Sequence, residues 1–89
     1  MRAVITVIGR DKIGILSEFS GVCAANGVNV LEVSQSVLQD LFAMTMLVDV
    51  TALTVDFTRF GDLLKEAGRE LRMEVHLIRE DLFEAMYQV

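Results

Sequence analysis

Between Gly9 and Gly14 the chain places an arginine, an aspartate and a lysine in succession, GRDKIG, in a polar turn bracketed by glycines. Asp11 can bind an ammonium group, and Arg10 and Lys12 can hold a carboxylate. Gly14 leaves backbone exposed where a side chain would block approach, so the turn offers donors, charge and room to a small ligand. Each of these residues also has a plainer reading. Asp11 suits the N-cap of a following helix, where a carboxylate accepts hydrogen bonds from free amides and faces the positive end of the helix dipole. The capping and binding roles are compatible. Arg10 and Lys12 read equally as solvated surface charges. Asn29 stands in an otherwise apolar strand start, where its amide needs backbone, water or a ligand as partner, whereas Asn26 reads as a helix-end residue.

The remaining chemistry-bearing residues favour structural roles. Ser34, Gln35 and Ser36 make a polar step that can supply hydrogen bonds across a subunit interface, with simple surface exposure as the alternative. Cys23 falls on an apolar helical stripe with no histidine near it in sequence, which suits a small core residue better than a nucleophile. His76, the only histidine, shares a strand face with Glu74 and Ile78, and no cluster of metal ligands surrounds it. No catalytic residue, metal or cofactor is expected. The five methionines read as core filling.

The turn is positioned by a strand before it and a helix after it. Arg2 to Ile8 is rich in β-branched residues. Ile13 to Asn26 then sets Ile15, Leu16, Phe19, Val22 and Cys23 at helical spacing, and Gly27 is the expected left-handed stop. Val28 to Leu38 alternates, with Leu31, Val33 and Val37 on one face and Glu32, Ser34 and Ser36 on the other. After Gln39 and Asp40, Leu41 to Val50 alternates again through Phe42, Met44, Met46, Val48 and Val50, which predicts an antiparallel hairpin. Val55 to Leu71 carries a helical stripe with Thr54 or Asp56 as cap, and Met73 to Arg79 returns to strand. The order βαββαβ predicts an α+β, ferredoxin-like sandwich: a four-stranded antiparallel sheet with two helices on one face.

Eighty-nine residues without a proline predict one domain, with residues 1–79 as the core and 80–89 as a tail. A chain of this length buries only about 60–65% of its unfolded surface. One cysteine excludes an internal disulfide, so oligomerisation is the expected source of extra stability. A hydrophobic fraction of 53% points the same way, as do strands one and three, which are apolar on both faces. Leu82, Phe83, Met86 and Tyr87, at helical spacing in the tail, can cover the open sheet face of their own or a neighbouring chain. A net charge of −5 with scattered basic residues argues against nucleic acid. No apolar run approaches the roughly 20 residues of a membrane helix, so no membrane partner and a cytoplasmic location are expected.

Gly9, Asp11, Gly14, Ile15 and Leu16, followed by Asn26, Gly27, Val28 and Asn29, resemble the opening of the ACT domain family. The resemblance extends over essentially the whole chain and is nearest to the stand-alone bacterial and archaeal members, and next to the ACT repeats of the glycine cleavage system repressor. Many members carry proline where this chain has Ile13, which removes a pre-set first-turn φ but leaves the Asp11 and Gly14 frame. The resemblance implies a regulatory module rather than an enzyme. It implies a homodimer or higher homo-oligomer that binds an amino acid and influences a partner enzyme or regulator in trans. The ligand-binding residues it implies are Gly9, Arg10, Asp11, Lys12, Ile13, Gly14 and Ile15, with Asn29. Alternatives on the same topology are a structural protein-interaction subunit, an acylphosphatase-like hydrolase and an RNA-recognition module. The hydrolase lacks a glycine-rich phosphate cradle and an asparagine between Leu38 and Thr45, and the RNA module lacks its aromatic platform.

Overall fold

The computed structural model describes residues 1–10 and 13–87. They form β1 (Arg2–Gly9), α1 (Ile15–Ala25), β2 (Asn29–Leu38), β3 (Leu41–Asp49), α2 (Phe57–Glu70), β4 (Glu74–Arg79) and α3 (Glu80–Tyr87). The strands lie in the order β2-β3-β1-β4 with every neighbouring pair antiparallel. This is the ferredoxin-like βαββαβ sandwich with a short C-terminal helix.

Strand alternation decides which side chains meet the helices. Ala3, Ile5 and Val7 of β1 and Phe42, Met44, Met46 and Val48 of β3 project into one core with Ile15, Phe19 and Cys23 of α1 and Phe60, Leu64 and Ala67 of α2. The opposite face is not left bare. Val4 points away from that core yet is only 4% exposed, because α3 turns back from β4 and packs against β1 and β4. Arg2 fixes the start of α3 through an ion pair with Glu80 at 2.7 Å. The tail therefore covers the β1 and β4 half of its own sheet, and no described residue of the tail packs on the β2 and β3 half.

Two local readings of the sequence need correction. The first helix begins at Ile15 rather than Ile13, and its N-cap position belongs to Gly14 at φ 72°, with no side-chain cap. A left-handed residue cannot stand inside a right-handed helix, so Gly14 moves the start past Asp11. Asp11 and Lys12 themselves lie outside the described residues. In β2, Val30 pairs with Val48 but Glu32 pairs with Leu47, so Leu31 is the extra residue of a bulge. The bulge resets the alternation: Val30 joins Val33 and Val37 on the helix-facing side, and Leu31 is 46% exposed.

The helix ends repay close attention. The Asp56 carboxylate accepts a 2.7 Å hydrogen bond from the Arg59 amide and caps α2. At the exit of α1, Gly27 has φ 74°, the Val28 amide donates to the Cys23 carbonyl and the Gly27 amide to that of Ala24. The exit of α2 repeats this pattern: Met73 donates to Gly68 at 2.8 Å and Arg72 to Arg69 at 3.2 Å. There the left-handed residue is Arg72, at φ 57°. Both exits are Schellman motifs, one with a glycine at the left-handed position and one with an arginine.

Candidate functional site

The register places three connections at one end of the sheet. Gly9 and Val37 both lie opposite Phe42, and Ile8 lies opposite Glu74. The β1 exit, the β2–β3 hairpin and the α2–β4 connection therefore converge. Between them is a cavity of about 680 Å³ lined by Ile8, Gly9, Arg10, Leu41, Leu71, Arg72 and Glu74. Gly9 belongs there for space: a Cβ on it would overlap the Met73 sulfur and crowd the Arg72 carbonyl. The absence of a side chain lets the end of β1 pack onto the α2–β4 connection.

The polar groups of this cavity are loosely held. Arg10 lies 3.7 Å from Asp40, with both side chains mostly in water, a geometry that contributes little. Glu74 meets His76 through one carboxylate oxygen at 3.2 Å. No carboxylate among the described residues pairs with Arg72. Two guanidinium groups and a carboxylate thus stand beside the apolar Ile8, Leu41 and Leu71, an arrangement suited to orienting a small charged molecule.

The other residues singled out in the sequence disperse. Ile13 is 83% exposed, Gly14 is exposed, and Ile15 turns its side chain into the core. Asn29 lies at the far end of the sheet: it pairs with Asp49, which pairs with Arg2. Its side chain is exposed. Asn26 caps its own helix end, its Nδ2 donating to the Val22 carbonyl at 2.8 Å. Ser34, Gln35 and Ser36 are surface residues. Cys23 is fully buried, and burial pushes its thiol up to about 11, which keeps it protonated and unreactive at neutral pH. No group of metal-ligating side chains forms among the described residues. Leu71, Arg72 and Glu74 had no signal in the sequence, because nothing in a run of ordinary residues announces a left-handed helix exit facing the first turn.

A second depression, of about 440 Å³, runs between α2 and the edge of β4, lined mainly by Arg59, Asp62, Lys65, Glu66 and Arg69. These alternating charges follow one helix face in water and include no residue of the Gly9 turn.

The family model of the ACT domain matches residues 2–77, which takes in the whole sheet except its last residues. The chain belongs to the ACT domain family. It is 42% identical over 88 residues to a UPF0237 protein of Methanocaldococcus jannaschii, covering 99% of this chain and 98% of that one. It is 37% identical over the full length of a UPF0237 protein of Listeria innocua. Among solved structures, an ACT domain protein from Streptococcus pneumoniae superposes with a TM-score of 0.82 at 37% identity, covering 98% of both chains. A putative glycine cleavage system transcriptional repressor shares the fold, with a TM-score of 0.75 at 14% identity over 85% of this chain and 44% of its own. ACT domains are in general regulatory, ligand-binding modules, and no helix among the described residues is long and apolar enough to cross a membrane.

Proposed function

We propose that this ACT domain is a homodimeric amino-acid sensor that acts in trans on a partner enzyme or regulator in the cytoplasm, without catalysis of its own. One observation carries the reading. The cavity at the Gly9 and Arg10 turn combines opposite charges with an apolar wall, within the roughly 300–1,000 Å³ range of small-molecule sites. Gly9 and Arg10 of the first turn form one rim.

Dimerisation supplies the other rim. β2 is an edge strand ten residues long whose outer backbone groups have no strand beside them, and an uncovered edge of this length favours pairing. Two copies joined antiparallel along β2 reverse its ends, so the partner's residue 29 comes to the end of the sheet that holds the first copy's Gly9 turn. Asn29, remote within one chain, thereby joins the site.

A thermal-shift screen of the twenty amino acids tests this, with the mass measured by light scattering. A stabilised dimer is the expected result; binding at 100 times Kd corresponds to about 2.7 kcal/mol. A folded dimer that no amino acid stabilises overturns the sensor. One observation favours a structural partner-binding subunit instead: Ile13, Leu16, Val37 and Leu38 leave large apolar surface exposed. Partner capture that does not change with added amino acids distinguishes that role.

A further inference from the structure

We infer that Arg72 and Glu74 read the head group of the ligand, and that this ligand is an α-amino acid with an apolar side chain. The inference rests on the reading of the Gly9 cavity as the ligand site and assigns its chemistry to residues outside the β1–α1 turn.

The starting point is a conformation. Arg72 occupies the left-handed position of a Schellman motif at φ 57°, where any side chain carries a steric penalty that glycine does not. The equivalent position after α1 is Gly27. Strain of this kind, kept beside a cavity, points to a use for the side chain. Nothing among the described residues accounts for it: Arg72 lines the cavity and forms no ion pair with any of them.

The neighbours complete the recognition. A guanidinium fork matches a carboxylate through two parallel hydrogen bonds, and Arg10 stands in the same lining, tied only to exposed Asp40. Glu74, two residues beyond Arg72, has one carboxylate oxygen engaged by His76, and among the described residues no cation pairs with the other, which an ammonium group could meet. Opposite charges in one cavity lining match the two ends of an amino-acid head group. Among the described residues the rest of the lining is Ile8, Gly9, Leu41 and Leu71, with no donor or acceptor side chain for a polar substituent, which favours an apolar ligand side chain.

The test is calorimetric titration of the full chain with L-leucine, L-phenylalanine and L-glutamate. It includes 3-methylbutylamine and 4-methylpentanoate, which are leucine without its carboxylate and without its ammonium group. Leucine or phenylalanine should bind, and glutamate and both truncated probes should bind at least about tenfold more weakly. Arg72→Gly should weaken binding at least about tenfold while raising the melting temperature of the ligand-free protein. That combination separates a lost contact from a damaged fold. Glu74→Gln should also weaken leucine but leave 4-methylpentanoate unchanged. Full affinity in Arg72→Gly, or a preference for glutamate, overturns the assignment while leaving the sensor reading intact. Failure of every amino acid to bind the unmodified protein overturns both.

Discussion

The two helix exits share a bonding pattern and differ in what stands at its left-handed position. After α1 it is Gly27, and a Cβ there would collide with the Ala52 carbonyl. After α2 it is Arg72, whose side chain extends into the lining of the Gly9 cavity. One exit is shaped by packing alone. The other accepts a conformational penalty and places a guanidinium beside the first turn. On the proposed reading, local stability and ligand recognition make opposite demands on the same motif, and the sequence resolves them differently at the two ends of the sheet.

The comparison can be broken most forcefully at Gly27. Gly27→Ala should cost at least about 2 kcal/mol, since the left-handed conformation alone costs roughly 1–2 kcal/mol and the Ala52 carbonyl must also move; urea unfolding measures it. A loss near zero would show that the α1 exit tolerates side chains as the α2 exit does. The helix starts extend the contrast: α2 has the Asp56 cap and α1 has none. Asp56→Ala should cost about 1 kcal/mol, visible as a lower urea midpoint. Arg72→Gly should run the other way. Relief of the left-handed penalty, less the entropy glycine gains in the unfolded chain, leaves about 0.5–1 kcal/mol of stabilisation.

The smallest effect concerns the far end of the sheet. Hydrogen bonds from the Thr51 side chain and backbone amide, the latter at 2.9 Å, hold the Asp49 carboxyl below the usual carboxylate range. A carboxyl lowered in the folded state contributes stability above its unfolded pKa and loses it as pH falls through the folded value. Asp49 is exposed, so the change is slight. Melting temperatures between pH 7 and pH 3 should fall a little less in Asp49→Asn than in the unmodified protein.

Much of the fold was legible because its signals are local. The apolar alternation from Phe42 to Val50, the helical stripe ending before Gly27 and the position of Asp56 each announce their element. What was not legible depends on pairing. The Leu31 bulge exists only relative to β3, and it moves Leu31 out of the face that simple alternation assigns to it. The distance of Asn29 from the Gly9 turn follows from register, which no single strand encodes. The start of α1 turned on whether Gly14 would be helical or left-handed. Of the cavity lining, Gly9 and Arg10 were visible in the turn; Arg72 and Glu74 were hidden because a helix exit without glycine carries no compositional mark, and only folding brings them to Gly9.

The most direct test of a ligand held at the Gly9 end is a residue-resolved amide NMR titration of the protein with L-leucine. The expected result is a saturable shift of the Gly9, Arg10, Leu71, Arg72 and Glu74 amides together, with the outer face of α2 from Arg59 to Arg69 unmoved. Saturating leucine that leaves those five amides in place, or that moves the α2 face instead, would contradict it.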